Sequence, residues 1–246
     1  MKPGGILVER RGEACLVTLD RGRQANALDG ATVESLHAAL EQAEADGARI
    51  LALQGEGRNF SAGFDLSGIE EATEGELLWR FARIQLLLER LESTPLLTIA
   101  LAHGANFGAG VDLFAACRWR FATECASFRM PGLAFGLVLG TRRFAAIVGR
   151  EQARDILERT RTLDAREAER LGLARRIVAR QELDAILAMA REQTAVLPAH
   201  SRALLARTLD TEQADAALSA LVRCVASPGF RESILQYARS RRKSAA

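Results

Sequence analysis

Two glycine-bearing segments are the parts of this chain best suited to chemistry. Phe60–Leu66 reads FSAGFDL, and further along His103–Cys117 reads HGANFGAGVDLFAAC. In each, small residues turn the chain just ahead of an apolar stretch, so a ligand can reach main-chain N–H groups that a side chain would otherwise shield. Two such turns together could form an oxyanion hole, which stabilises the negative charge that develops on a carbonyl oxygen during reaction. The second turn also opens an apolar helical stretch, Val111–Cys117, whose N-terminal dipole brings a positive end to the same place.

The elements that must hold these turns are legible on either side of them. Ala14–Leu19 and Ile50–Leu53 are short apolar runs closed by polar or glycine residues. Between them Val33, Leu36, Leu40 and Ala43 recur at helical spacing, and Gly47 stops that helix. Leu96–Leu101 and Arg118–Ala122 read as further strands, and a long helix carries Leu77, Leu78, Phe81, Ile84, Leu87, Leu88 and Leu91. This alternation predicts an α/β architecture. From about Arg143 onward the strand signals fade into an Ala-, Arg-, Glu- and Leu-rich sequence, broken at Pro198 and at Ser227-Pro228-Gly229, which predicts mostly helix.

Composition removes several function classes. A chain of 246 residues suits one large domain or a core with a helical extension. With 33 basic and 31 acidic residues the formal charge is +2, so no dedicated nucleic-acid binder is expected. The basic run Arg239-Ser240-Arg241-Arg242-Lys243 reads as a solvated end. Cys15, Cys117, Cys125 and Cys224 have neither CxxC spacing nor a nearby histidine pair; they read as reduced core thiols, with no metal site expected. The N-terminus, MKPGGILVER, carries no apolar leader, and no run reaches the roughly 18–20 apolar residues that a bilayer requires, so a cytoplasmic protein with no membrane partner is expected.

Taken in order, Asn26-Ala27-Leu28, Ser61-Ala62-Gly63-Phe64-Asp65-Leu66, Gly108-Ala109-Gly110, and Phe128-Arg129-Met130-Pro131 ahead of Gly136 make the chain resemble the crotonase family, also called the enoyl-CoA hydratase/isomerase superfamily. The resemblance runs from about Leu7 to the C-terminus. It implies a crotonase-like spiral of ββα units, with the core in residues 1–190, and a helical C-terminal region, residues 191–246, that packs trimers often paired into hexamers. No internal repeat is visible in the residues themselves.

The same resemblance implies an acyl-CoA thioester as substrate, with no separate cofactor. Its oxygen would be held by the N–H groups of Phe64 and Ala109, the latter standing where glycine is frequent. Family hydratases divide acid–base work between two glutamates. Here the first position is Asp112, one methylene shorter, and the second is Gly132, which has no side chain to offer. A misplacement of about 1 Å can cost about 10²-fold in rate. The expectation is therefore isomerase-like or other enolate chemistry through Asp112, ahead of ordinary hydration; the alternative is a non-catalytic acyl-CoA-binding homologue. On the residues alone, Asp112 is also an acid in the first turn of a helix, favourable to the dipole.

For CoA itself the resemblance points to Arg21, Arg23, Gln24, Ala25 and Ala27 in the loop over the nucleotide and pantetheine, and to Ala62, Leu66, Gly108 and Gly132 beside them, with Asp65 stabilising the turn. Arg21 and Arg23 are the candidate phosphate partners. Tyr237 and Arg241 fall where relatives approach CoA bound to a neighbouring subunit. The loop Gly136–Arg143 is shorter than usual, which alters the acyl end of the pocket; Arg142 and Arg143 read as solvated, with contact to an acidic acyl group as the other option. His103 reads as a structural hydrogen-bonding residue. Arg118 replaces a frequent family aspartate.

Overall fold

A computed structural model describes residues 3–210 and 214–245. The strands are β1 (Ile6–Arg11), β2 (Ala14–Leu19), β3 (Ile50–Gly55), β4 (Leu97–Ala102), β5 (Ala105–Phe107), β6 (Trp119–Ala122), β7 (Ser127–Arg129), β8 (Thr162–Asp164) and β9 (Arg176–Ile177). The helices are α1 (Gly30–Ala45), α2 (Glu74–Ser93), α3 (Ala109–Ala115), α4 (Thr141–Val148), α5 (Arg150–Glu158), α6 (Ala165–Arg170), α7 (Leu183–Val196), α8 (Ala199–Asp210), α9 (Ala214–Val225) and α10 (Phe230–Ala245).

The run Ala14–Leu19 is apolar throughout because it is covered on both faces. Cys15, Val17 and Leu19 enter the main core with α1 and α2, while Ala14 and Leu16 pack with Ile186, Leu187 and Ala190 of α7. Strands buried on both sides lose the polar alternation of a half-exposed sheet. The six-stranded sheet has the order β1-β2-β3-β4-β6-β9; the β1–β2 hairpin is antiparallel and every other neighbour is parallel. A second sheet, β5-β7-β8, continues the winding, with β5–β7 parallel and β7–β8 antiparallel. The glycine turns leave this framework beside β3 and at the end of β5.

Helix boundaries follow their chemistry. The Asp29 side chain caps α1 by accepting from Thr32 N at 2.7 Å, and Thr73 with Glu76 forms a reciprocal capping box on α2. Leu77, Phe81, Ile84, Leu87, Leu88 and Leu91 are all buried, as the helical spacing predicts.

Three expectations change. Strands β8 and β9 lie in the part expected to be helical; at three and two residues they are too short to leave a periodic signal. Cys15 and Cys117 are core thiols, but Cys125 is exposed in the turn before β7 and Cys224 is half-buried. The basic run near the C-terminus is not simply solvated: Arg239 and Arg242 meet Glu70 at 3.5 Å each, and Arg241 lies over the Phe107 ring. The Lys243 side chain and Ala246 lie outside the described residues. Among the described residues no helix is long and apolar enough to cross a membrane, and no three His, Cys, Asp or Glu side chains could share a metal ion.

Candidate active site

The two glycine turns meet main chain to main chain. A Cβ on Gly63 would fall 2.1 Å from the Phe107 carbonyl oxygen and 3.0 Å from the Ala109 nitrogen; one on Gly110 would fall 2.3 Å from the Ser61 carbonyl oxygen. No side chain fits at either position, and Gly63 also has φ 81°. Hydrogen bonds tie the turns to their surroundings: Phe107 N donates to Ser61 O at 3.2 Å, Leu28 N to Gly63 O at 2.7 Å, and Gly108 N to Arg129 O at 2.8 Å.

Two buried asparagines complete the join. Asn26 Nδ2 donates to the carbonyls of Glu56 and Asn59, and Asn106 Nδ2 to those of Gly104 and Ser127. Asn106 also accepts from Ser61 N. Within this network the N–H groups of Phe64 and Ala109 are given no protein acceptor. The Phe64 ring is pinned as well, stacked 4.2 Å from Phe81 with the Arg80 guanidinium 4.2 Å from its centre, which fixes the direction of the adjoining main chain.

Phe64 and Ala109 both line a cavity of about 200 Å³. Phe81, Phe107, Met130, Leu137, Leu139 and Ile234 make it apolar, and Ala62, Leu66, Gly108 and Gly132 also border it. Tyr237 and Arg241 line this same cavity, with the Tyr237 ring 4.8 Å from Phe135. The amphipathic packing of α10 buries Phe230, Ile234 and Ala238 in its own chain's core, which leaves Tyr237 half-buried and the exposed Arg241 at the cavity's edge.

Asp112 sits in the first turn of α3, its N–H donating to Gly108 O at 3.1 Å, and its side chain borders the cavity. The residue is 2% exposed and Oδ1 has no hydrogen-bond partner. Burial pushes its carboxyl up to about 8 from an ordinary 3.8, with the Arg143 charge opposing. At neutral pH it is therefore mainly a protonated acid, able to give a proton. Oδ1 lies over Gly140, where a Cβ would stand 1.8 Å away. At the second position Gly132 opens the 3-10 turn Gly132–Phe135 and contributes no polar side chain.

Arg143 is not solvated. Its side chain is 9% exposed, and Nε and Nη2 clasp both Glu92 carboxylate oxygens, the Nη2–Oε2 distance being 2.5 Å. Arg143, in the first turn of α4, reaches Glu92 in the last turn of α2, and this pair directs its guanidinium inward. Arg142 is exposed, as expected.

Arg21, a candidate phosphate partner, is held inside the protein: its guanidinium meets Asp65 at 3.1 Å, Asp29 at 3.0 Å and the Ala27 carbonyl. Asp65 thus anchors the turn, also accepting from Ser67 N at 2.9 Å. Burial works to raise its carboxyl, but Ser67 and then Arg21 prevail and hold it below the usual value. Arg23 and Gln24 are exposed, Ala25 is half-buried with φ 50°, and Ala27 is buried; all lie outside the cavity, beside the Ala62–Phe64 turn, where Ala62 N donates to Ala25 O. His103, kept neutral by burial, donates from Nε2 to Gly57 O at 2.9 Å. Arg118 donates to the carbonyls of Glu92, Thr94 and Leu96, which explains it as a tie closing the chain between α2 and β4.

Sequence reasoning missed Asn106 and the Glu92–Arg143 pair. Asn106 lies between the glycines of its own turn and could have been suspected as a turn anchor; a pair 51 positions apart leaves no local signal.

Paired glycine turns offering main-chain donors over an apolar cavity, in a winding α/β core, define a crotonase-type protein. The sequence profile of the Enoyl-CoA hydratase/isomerase family matches residues 9–241, and the chain belongs to that family. A solved enoyl-CoA hydratase/isomerase-family structure from Bordetella parapertussis is 48% identical, with a TM-score of 0.92 over 95% of this chain and 98% of that one. A Thermobifida fusca enoyl-CoA hydratase homologue, solved in complex with acetoacetyl-CoA, is 29% identical with a TM-score of 0.74 over 90% of this chain and 93% of that one. A probable enoyl-CoA hydratase of Bacillus subtilis is 38% identical over 156 residues, 61% of this chain; the match spans 60% of that protein, less than two thirds of its length.

Proposed function

We propose that the chain takes an acyl-CoA thioester into the apolar cavity, holds the thioester oxygen between the Phe64 and Ala109 N–H groups, and moves one proton through Asp112. The observation that carries this reading is a buried carboxyl bordering the same cavity as two unclaimed main-chain donors, with Gly132 where a second acid would stand. Charge that builds on the thioester oxygen as an enolate forms meets donors already in place. The carboxylate form of Asp112 removes a proton from a carbon of the acyl chain, breaking a C–H bond and forming an O–H bond as the enolate develops; the protonated Asp112 then returns that proton to a carbon of the enolate, re-forming a C–H bond and the carboxylate. Isomerisation or another enolate reaction fits one such group, whereas hydration must also activate a water molecule.

The acetoacetyl-CoA held by the Thermobifida neighbour supports the ligand class. Arg23 and Arg241 are the proposed cations for the CoA phosphates, Arg21 being occupied. A trimer or paired trimers in the cytoplasm is the proposed state, on family resemblance. Turnover of a panel of enoyl- and β-ketoacyl-CoAs, followed by mass and by chromatography for isomers, tests the reading. Activity lost in Asp112→Asn with CoA-thioester affinity retained supports it; activity undiminished in that variant refutes it. Gly132 also favours a binding role without chemistry, which saturable acyl-CoA binding with no turnover would select.

A further inference from the structure

Four polar side chains line the apolar cavity: Asp112, Thr141, Tyr237 and Arg241. Thr141 belongs with Asp112, since it follows Gly140, over which Asp112 Oδ1 projects. Tyr237 belongs instead with the Gly132 turn. Its ring packs 4.8 Å from that of Phe135, tilted by 38°, and Phe135 closes the 3-10 turn that Gly132 opens. Phe230 of the same helix meets Phe135 at 6.5 Å, so α10 rides on this turn. The one tyrosine of the chain is thus held against the segment in which a second acid is missing.

The hydroxyl of this residue is unclaimed. Among the described residues it makes no hydrogen bond to the protein; the bond from Ser240 goes to the Tyr237 main-chain carbonyl. Unlike Asp112 Oδ1, the hydroxyl is not sealed inside the protein. Burial pushes the phenol above its ordinary 10, with the Arg241 and Arg129 charges opposing, so at neutral pH it is an un-ionised O–H able to donate. A hydrocarbon chain filling the cavity would leave that O–H unpaired, whereas a ligand oxygen placed against it would accept its hydrogen bond.

We infer that Tyr237 makes the site selective for β-oxoacyl-CoA thioesters, its hydroxyl donating a hydrogen bond to the oxygen on the β carbon. The inference rests on the proposed acyl-CoA reading of the cavity and on Asp112 as its base. With the thioester oxygen between the Phe64 and Ala109 N–H groups, the main-chain donors are taken, and the next oxygen along the acyl chain is left for the donor beside the Gly132 turn. A lone carboxylate favours the same substrate class, because a C–H flanked by two carbonyls is far more acidic than one beside a thioester alone. When Asp112 takes that proton, the C–H bond breaks, an O–H bond forms on Asp112, and the electron pair spreads over both carbonyl oxygens. Each oxygen then faces a donor already in place. The Tyr237 proton stays on its own oxygen throughout, so the phenol holds charge while Asp112 moves the proton.

The test is calorimetric titration of the wild type and of Tyr237→Phe with acetoacetyl-CoA, 3-hydroxybutyryl-CoA and butyryl-CoA, which share a four-carbon chain and differ at the β carbon. Phenylalanine keeps the ring on Phe135 and removes only the hydroxyl, and an unchanged thermal midpoint checks that α10 is still seated. The wild type is expected to bind acetoacetyl-CoA about 10-fold more tightly than butyryl-CoA, and Tyr237→Phe to lose that preference while its Kd for butyryl-CoA stays within about twofold. No preference in the wild type, or one that survives in Tyr237→Phe, overturns the inference and leaves the acyl-CoA reading standing. Equal weakening of all three ligands also overturns it, since the hydroxyl would then be meeting the CoA part. Tighter binding of 3-hydroxybutyryl-CoA than of acetoacetyl-CoA overturns the choice of an oxo group. Failure of all three to bind the wild type overturns the acyl-CoA reading and the inference together.

Discussion

Asp112→Asn should inactivate the protein and make its stability less sensitive to rising pH than that of the wild type, and pH separates this effect from any other consequence of the substitution. Burial carries the Asp112 carboxyl from 3.8 up to about 8, so between these values the folded protein keeps a proton that the unfolded chain has released. Folding therefore takes up a proton across this window, and stability falls as pH rises through it. The contribution of the neutral carboxyl is complete below the unfolded value and is lost as pH climbs to the folded one. From 3.8 to pH 7, at about 1.4 kcal/mol per pH unit, the wild type gives up about 4 kcal/mol at most. Asparagine matches the neutral acid in shape and does not titrate, so it escapes this loss. Whatever burying the amide costs is the same at every pH and drops out of the comparison. Urea denaturation of both proteins from about pH 4 to about pH 9 should give midpoints whose difference moves steadily in favour of Asp112→Asn, levelling off near the top. Curves that run parallel would show that Asp112 is ionised in the folded state and that its assignment as a resting acid is wrong.

Other substitutions probe the rest of the site. Gly63→Ala drives a methyl group into the Phe107 carbonyl, 2.1 Å away, and should abolish turnover together with at least about 2 kcal/mol of stability; a folded, active variant would separate the turns from the chemistry. Gly132→Glu meets only a tight contact, its Cβ 3.0 Å from Leu137 O, and should raise crotonyl-CoA hydration by about 10²-fold, read as loss of enoyl absorbance; an unchanged rate would mean the second position cannot reach the substrate. Arg241→Ala should weaken acyl-CoA binding several-fold by calorimetry without lowering thermal stability, and equal affinity would remove Arg241 from the CoA site. Light scattering at micromolar concentration should report a multiple of three chains, against which a persistent monomer would count.

How far the sequence could be read depended on whether the determining contact was local. Leu77 through Leu91 announce α2 because one helix face repeats within a few residues, and Val33 to Ala43 do the same for α1. The Phe64 and Ala109 turns were legible because their glycines mark close approach in the chain itself, although spacing could not reveal that the two turns touch. The side chain of Arg143 was misjudged for the opposite reason: arginine is usually solvated, and only the meeting of α4 with α2 delivers Glu92 to it. Tyr237 and Arg241 were singled out by their place near the end of the chain, and the fold-back of α10, set by Ile234 and Phe230 finding the core, brings both to the border of their own chain's cavity. The acid–base departure at Asp112 and Gly132 could be stated from position alone; its electrostatic outcome required the burial that the whole core imposes.

The unclaimed N–H groups of Phe64 and Ala109 bear on reorganisation. On the proposed reading, a ligand oxygen arriving between them breaks no hydrogen bond, because among the described residues neither donor has a protein acceptor to leave. Their alignment was settled when the chain folded, by bonds from Ser61, Leu28 and Arg129 that leave these two amides untouched. Substitution of Asp112 or Gly132 can then redirect the reaction without disturbing the electrostatics, which belong to the main chain and stay with it.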